Sequence, residues 1–164
     1  MNEKTIIYFV RHAECTGNKE KRLCGKTDFK LSNMGKMQAK NLGNYMKNIP
    51  LDIIFSSPLS RTKETAENIQ KYNINKLQIK TVSNFQEVYF GILDGKLHSE
   101  AQKHYKKEML NWTLNKRYPE GLPEQEKIED AQKRFLKALN NILENNDYKS
   151  ICIVTHGTIL RSVI

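Results

Sequence analysis

The sequence predicts a single α/β domain over residues 1–164, a three-layer α/β/α sandwich built on a mostly parallel sheet. Three observations carry this. Two short apolar runs, Ile6-Ile7-Tyr8-Phe9-Val10 and Ile151-Cys152-Ile153-Val154-Thr155, are continuous rather than alternating, which suits strands buried on both faces. Between them, stretches with helical spacing alternate with further short apolar runs, the order of a parallel sheet wound with helices. At 164 residues the chain has room for one full core and little more.

The first run ends abruptly at Arg11-His12, and the last runs into His156-Gly157. Open α/β sheets place their chemistry at the carboxyl ends of strands, so both histidines are candidates to meet a ligand. After the first strand, Thr16 to Lys30 is polar and irregular and carries Arg22, Gly25 and Asp28. Leu31, Met34, Leu42, Tyr45, Met46 and Ile49 then recur at helical spacing, and Pro50 stops the helix. Asp52 to Phe55 reads as a second buried strand leading to Ser56-Ser57-Pro58, with Ser57 as N-cap and Pro58 as first helical residue. The helix that follows buries Leu59, Thr62, Ala66 and Ile69, and a third strand lies within Leu77 to Val82.

Asn84 to Lys96, with two glycines and weak periodicity, reads as a loop. Ser99-x-x-Gln102 has the form of a capping box and opens a helix with Ala101, Tyr105, Met109 and Trp112 on one side. Tyr118 to Pro123 breaks it. A long amphipathic helix then turns Ile128, Ala131, Phe135, Ala138, Leu139 and Ile142 inward, and Asn145-Asn146-Asp147 ends it before the last strand. There is no internal repeat, low-complexity tract or linker.

With 38% hydrophobic and 27% charged residues, the composition is that of a soluble globular protein. No apolar run approaches the roughly 20 residues of a membrane span, and Met1-Asn2-Glu3-Lys4 lacks a signal-peptide layout. Cys15, Cys24 and Cys152 are odd in number and have no metal-ligand spacing, so reduced thiols in the cytoplasm are expected, with no metal and no cofactor. The net charge of +9 comes from dispersed lysines such as Lys19, Lys21, Lys36, Lys40 and Lys47. With no basic run of five and no interleaved aromatics, it reads as a solvated surface rather than a nucleic-acid interface. A small anionic partner remains compatible with it.

Arg11-His12-Ala13-Glu14, with Asn18, resembles the RHG-type signature of the histidine phosphatase (phosphoglycerate mutase-like) superfamily. Further blocks match in the family's order: Ser56-Ser57-Pro58-x-x-Arg61-x-x-x-Thr65-Ala66, Glu87 in Phe85-Gln86-Glu87-x-x-Phe90-Gly91, Asp94-Gly95, and Thr155-His156-Gly157. The resemblance implies a metal-independent phosphatase of small phosphorylated metabolites. His12 would become a phosphohistidine, Glu87 would protonate the leaving oxygen and then activate water, and His156 would donate to the phosphoryl oxygens. The chemistry suits these residue types. Phosphoryl transfer asks for positive charge around three oxygens and an aligned nucleophile. Arg11 and Arg61 offer guanidinium forks, Asn18 a neutral donor, and Gly157 close backbone approach. Cations around His12 should disfavour its imidazolium form and leave a free nitrogen to attack.

Departures from the family pattern are informative too. Ala13 replaces a glycine, and Leu93-Asp94-Gly95 a more usual aromatic-Glu-Gly. Cys15 stands where the family usually has Thr, as an oxidation-sensitive thiol or a passive small residue. The family's Gly-Glu-Ser block has no clean counterpart: Pro119-Glu120-Gly121-Leu122-Pro123-Glu124 stands there, and Glu126-Lys127 could align instead. Only 69 residues separate Glu87 from His156, without the insertion of cofactor-dependent mutases. Hydrolysis is therefore the first reading, of a broad-specificity or α-ribazole phosphatase kind; a mutase or a weakly catalytic binding module are the alternatives. Family members usually continue past the second histidine, so the resemblance implies a C-terminally shortened fold here. The apolar Ile159, Leu160, Val163 and Ile164 then suggest a face that a second copy would cover, giving a homodimer.

Overall fold

The computed structural model describes residues 4–115, 119 and 121–164, with side chains over the same residues except 111–115. In chain order the elements are β1 (Ile6–Arg11), α1 (Thr16–Lys19), α2 (Asn33–Tyr45), β2 (Ile53–Ser56), α3 (Ser60–Tyr72), β3 (Ile79–Thr81), α4 (His98–His104), α5 (Lys106–Asn115), α6 (Ile128–Glu144), β4 (Ser150–Thr155) and α7 (Gly157–Val163). Two 3₁₀ turns, Ser83–Phe85 and Gly91–Leu93, interrupt the segment Asn84 to Lys96 expected as a plain loop. The strands form one sheet in the order β1-β4-β2-β3, with every neighbouring pair parallel.

Alternation along the strands divides their side chains between two cores. On one face Ile7, Phe9, Ile53, Phe55, Ile151 and Ile153 meet Phe135, Leu139 and Ile142 of α6 and Ile159 of α7. On the other, Tyr8, Val10, Ile54, Cys152 and Val154 meet Ala66 and Ile69 of α3 and Leu42 of α2. At roughly 1.5–3 kcal/mol per fully buried large apolar side chain, these two layers hold the domain together. A third cluster, Leu23, Phe90, Leu93, Ala101, Met109 and Leu122, packs the segment after β3 against α4 and α5.

Several expectations are corrected. β1 packs into both cores, but less completely than expected: it is an edge strand, and Ile6 is 57% exposed, whereas β4 in the interior of the sheet is buried throughout. Of the apolar residues expected to turn inward here, Leu31, Leu42, Met46 and Ile49 do, but Met34 and Tyr45 are exposed, and the fully buried positions within α2 are Gly35, Ala39 and Gly43. Close approach of α3 explains this, since a Cβ on Gly43 would lie 2.4 Å from the Asn68 carbonyl oxygen. α3 starts at Ser60 rather than Pro58, and its first turn is capped from a distance, the Ser60 N–H and Oγ donating to Asp28 at 2.8 and 2.6 Å. α4 starts at His98, not at a Ser99 cap; Leu97 is extended and its N–H donates to Glu100 at 3.3 Å. The helix expected through Met109 breaks at Tyr105 into α4 and α5. The side chain of Trp112 and the break at Tyr118 fall outside the described residues.

Register brings the strand ends level. Arg11 pairs with Thr155 and Ser56 with Val154. The next residues continue the ladder: the His12 N–H donates to Thr155 O and the Ser57 N–H to Val154 O, both at 3.0 Å. His12, Ser57 and His156 therefore stand side by side at the carboxyl end of the sheet.

Candidate active site

His12 is buried just beyond β1. Its Nδ1 lies 2.7 Å from the carbonyl oxygen of Ala13, which can only accept, so Nδ1 carries the hydrogen. That leaves a lone pair on Nε2, towards which Arg61 Nε–H points at 3.3 Å. Burial first, then the charges of Arg61 and Arg11, hold the imidazole pKa down at about 3, against a smaller upward pull from the Ala13 carbonyl. The ring is neutral at any ordinary pH. Burial outweighs the cations that the sequence pointed to.

His156 follows β4 and is completely buried, its ring centroid 5.2 Å from that of His12. Nε2 pairs with Ser57 Oγ at 2.8 Å, while Nδ1 has no partner among the described residues. Burial and then Arg61 keep its pKa well below the ordinary value. Gly157 begins α7, and a Cβ there would sit 3.2 Å from Arg11 Nε, so the missing side chain lets Arg11 lie alongside.

Glu87 comes from the irregular segment after β3, yet it is also buried. Oε1 accepts the N–H groups of Val88 and Ile159, and Oε2 that of Thr158, all at 2.9 Å. Burial raises its pKa, and these three N–H groups pull the other way without reversing it. The carboxyl is thus poised to hold a proton while its orientation is fixed by α7.

A cavity of about 300 Å³ opens over this floor, lined among others by Arg11, His12, Asn18, Glu87 and Gly157. Arg61 is not on its wall. It is fully buried behind His12, where its guanidinium also donates to the carbonyls of Thr27 at 3.0 Å and Gly25 at 2.7 Å. That loop is held from its other side by Asp94, which accepts the N–H groups of Lys26 and Thr27 at 2.9 and 2.8 Å. Asp94 thereby anchors the loop that receives Arg61. Sequence reasoning left out Lys21, Arg22, His98 and Arg161, which also line the cavity. Three of them are cations that looked like ordinary solvated charge.

Arg134 on α6 was missed as well. Its guanidinium donates to the carbonyls of Asn84, Gln86 and Glu87 at 2.6, 2.9 and 3.1 Å, and forks onto Glu126 at 2.7 and 3.0 Å. Burial works against the Glu126 carboxylate, but Arg134, together with the Tyr89 N–H and the charge of Lys26, offsets it and leaves its pKa lowered. Tyr89 N–H donates to Glu126 Oε2, and Glu126 N–H to Tyr89 O, both at 3.1 Å. In place of a Gly-Glu-Ser block, this chain uses Glu126 and Arg134 to pin the segment that carries Glu87. Among the described residues, no group of three or more His, Cys, Asp or Glu side chains could hold a metal ion. No helix among them is long and apolar enough to cross a membrane.

Comparison with known proteins identifies the family and the fold. The chain is 32% identical to PhoE of Bacillus subtilis, a protein named as an uncharacterized phosphatase, over 98% of its own length and 76% of PhoE. It is 29% identical to GpmB of Salmonella arizonae, a protein named as a probable phosphoglycerate mutase, over 96% of this chain and 72% of that one. The solved structure of YhfR from Bacillus stearothermophilus superposes with a TM-score of 0.86 at 26% identity, covering 98% of this chain and 78% of YhfR. The sequence model of the histidine phosphatase superfamily, branch 1, matches residues 7–164, and the chain belongs to that family.

Proposed function

We propose that this histidine phosphatase hydrolyses small phosphomonoesters through a phosphohistidine at His12. One observation carries the reading: the Nδ1–H of His12 is tied to the Ala13 carbonyl, so the neutral ring presents Nε2 as a nucleophile. In the first step the Nε2 lone pair bonds to phosphorus while the ester oxygen leaves with the proton of Glu87. In the second, the Glu87 carboxylate takes a proton from water, whose oxygen bonds to phosphorus. The P–N bond breaks and His12 is neutral again. Arg11, Asn18 and Gly157 hold the phosphoryl oxygens at the front, Arg61 steadies them from behind His12, and the neutral His156 ring adds an Nδ1–H donor when its Nε2 accepts from the Ser57 hydroxyl.

Lys21, Arg22 and Arg161 on the same cavity wall support substrates that carry negative charge beyond the scissile phosphate. The three unbridged thiols support a reducing, cytoplasmic setting. Likeness to GpmB favours one second reading, transfer of the phosphoryl group to another hydroxyl. Phosphate release from a panel of phosphorylated metabolites, with and without chelator, tests the proposal. The panel includes α-ribazole phosphate and phosphoglycerates. Chelator-resistant release supports hydrolysis at His12. Isomerisation of a phosphoglycerate without phosphate release would replace it with the mutase reading.

A further inference from the structure

Two thiols that the proposed chemistry does not use stand at the wall of the same cavity. The sulfurs of Cys15 and Cys24 are 3.8 Å apart. Cys15 is fully buried, while Cys24 is half-buried and lines the cavity beside His12. Asn18 ties them together. Its Oδ1 accepts the Cys15 N–H at 3.2 Å and the Cys15 thiol at 3.1 Å, and its Nδ2 lies 3.7 Å from Cys24 Sγ. Nothing bulky separates the two segments: a Cβ on Gly17 would fall 2.6 Å from Cys24 Sγ.

The surroundings also favour loss of a proton from the pair. A hydrogen bond from the Cys24 thiol brings the Cys15 pKa down to about 6 against the effect of burial, and the N–H groups of this turn and Arg61 add to it. Cys24, keeping the proton, is raised, first by its bond to Cys15 and then by burial. The two sulfurs thus readily hold one proton between them, favoured on Cys24, which is also the one that faces the cavity. Cys152, the third thiol, is alone in the core and is pushed up to about 12 by burial.

We propose that Cys15 and Cys24 form an oxidation site that a peroxide converts to a disulfide, disabling the phosphate pocket. Peroxide enters the cavity and the thiolate of the pair attacks one of its oxygens, breaking the O–O bond. The sulfur becomes a sulfenic acid, and the departing hydroxide takes up a proton as water. The other thiol then attacks the sulfenic sulfur; the S–S bond forms, the S–O bond breaks, and hydroxide leaves with the thiol proton as a second water. Two thiols are oxidised, and one hydrogen peroxide is reduced to two waters.

Bonding draws the sulfurs from 3.8 Å to about 2.05 Å. Asn18 loses both thiol partners in that movement. The Cys24 carbonyl, which accepts from Arg61 at 3.4 Å, moves with its side chain and disturbs the loop that holds Arg61. The loss of turnover rests on the proposed phosphatase reading, whereas the bridge itself does not. The experiment separates the two.

The protein is treated with hydrogen peroxide without denaturant, and two things are measured on the oxidised form. Peptide mapping should find Cys15 linked to Cys24, two hydrogens lighter, with Cys152 still free. Inorganic orthophosphate should raise the Tm of the reduced protein and not of the oxidised one, and dithiothreitol should restore the shift. With a substrate in hand, turnover should fall at least tenfold and recover in the same way. Cys24→Ser and Cys15→Ser, each compared with its own untreated sample, should keep their response to phosphate through peroxide; if one fails to fold, the other serves. Failure to link the two peptides, or a linked protein that binds phosphate as before, overturns the proposal. If the bridge forms and phosphate binding is lost while no substrate is ever turned over, the oxidation site stands and the phosphatase reading fails.

Discussion

The nucleophile and the acid of the candidate site are held in different ways. His12 and His156 leave adjacent parallel strands in register, and a backbone bond from His12 to Thr155 continues the ladder past the sheet edge. Glu87 has no ladder beneath it. Three N–H groups grip its carboxyl, and the carbonyls around it are gripped by one arginine from α6. A sheet can set the position of a histidine to within the tolerance of a strand. An irregular segment needs dedicated polar clamps to do the same, and its placement then depends on a few side chains.

The sharpest test of the strand side is His12→Ala. Most of the side chain's work is chemical, and its neighbours on the sheet remain. We expect turnover to fall by at least about a thousandfold, equivalent to roughly 4 kcal/mol of barrier, with the circular dichroism spectrum unchanged. Acid-labile phosphate trapped on the wild type should be absent. A variant that retains more than about a hundredth of the wild-type rate would remove His12 from the covalent step.

On the clamped side, Glu87→Gln keeps the shape and loses the proton. Alkyl phosphates, whose leaving oxygen needs protonation, should slow by about 10²–10⁴-fold. Activated aryl phosphates should slow less than about tenfold in phosphorylation of the enzyme, because a stabilised phenolate leaves unaided. Burst kinetics separates that step from hydrolysis. Equal losses on both substrate types would mean that Glu87 binds rather than donates.

The same contrast governs what was readable from the residues. β4 was legible because every position is buried, so its apolar run is unbroken. β1 carries nearly the same run but lies at an edge, and an apolar run does not reveal which strand will lack a neighbour. His12, His156 and Arg61 were legible because they sit at element ends, where spacing and family pattern agree. α2 was legible only in part: Leu42 packs as its spacing indicates, but the most closely packed positions are Gly35, Ala39 and Gly43, whose small residues give little hydrophobic signal. Glu126 and Arg134 were invisible in their clamping role: an acid and an arginine eight residues apart look like solvated charge until the chain folds them onto Glu87.

Titration should push the two sides in opposite directions. The folded pKa of His12, about 3, lies below its ordinary 6.5. As pH falls through 6.5 the unfolded chain takes up a proton that the folded chain refuses, so stability present above 6.5 is lost towards 3. Glu87 has the opposite sign: its folded pKa is raised, so its contribution is present below the ordinary 4.5 and lost as pH rises. The histidine effect can be isolated with His12→Asn. Between pH 7 and pH 5 the wild type should lose about 2 kcal/mol more than the variant, read from urea unfolding. A difference under about 0.5 kcal/mol would mean that His12 is not held neutral by the fold.

The smallest effect should come from Arg134→Lys, and it bears most directly on how the acid is positioned. Lysine keeps the positive charge beside Glu126, so the carboxylate is not left unpaired and the fold should survive. It cannot reproduce a planar fork that reaches Glu126 and three carbonyls at once. Glu87 should then be carried on a looser segment, while the ladder under His12 is untouched. We expect alkyl phosphates to slow about tenfold, or roughly 1.4 kcal/mol, and aryl phosphates to slow less than about twofold. A loss that arises from misplacing the acid must also vanish once the acid is gone. In a Glu87→Gln background, the lysine substitution should therefore cost almost nothing further on alkyl substrates. An undiminished tenfold loss in that background, or an equal loss on aryl phosphates, would show Arg134 to be a general support of the fold and leave Glu87 positioned by α7 alone.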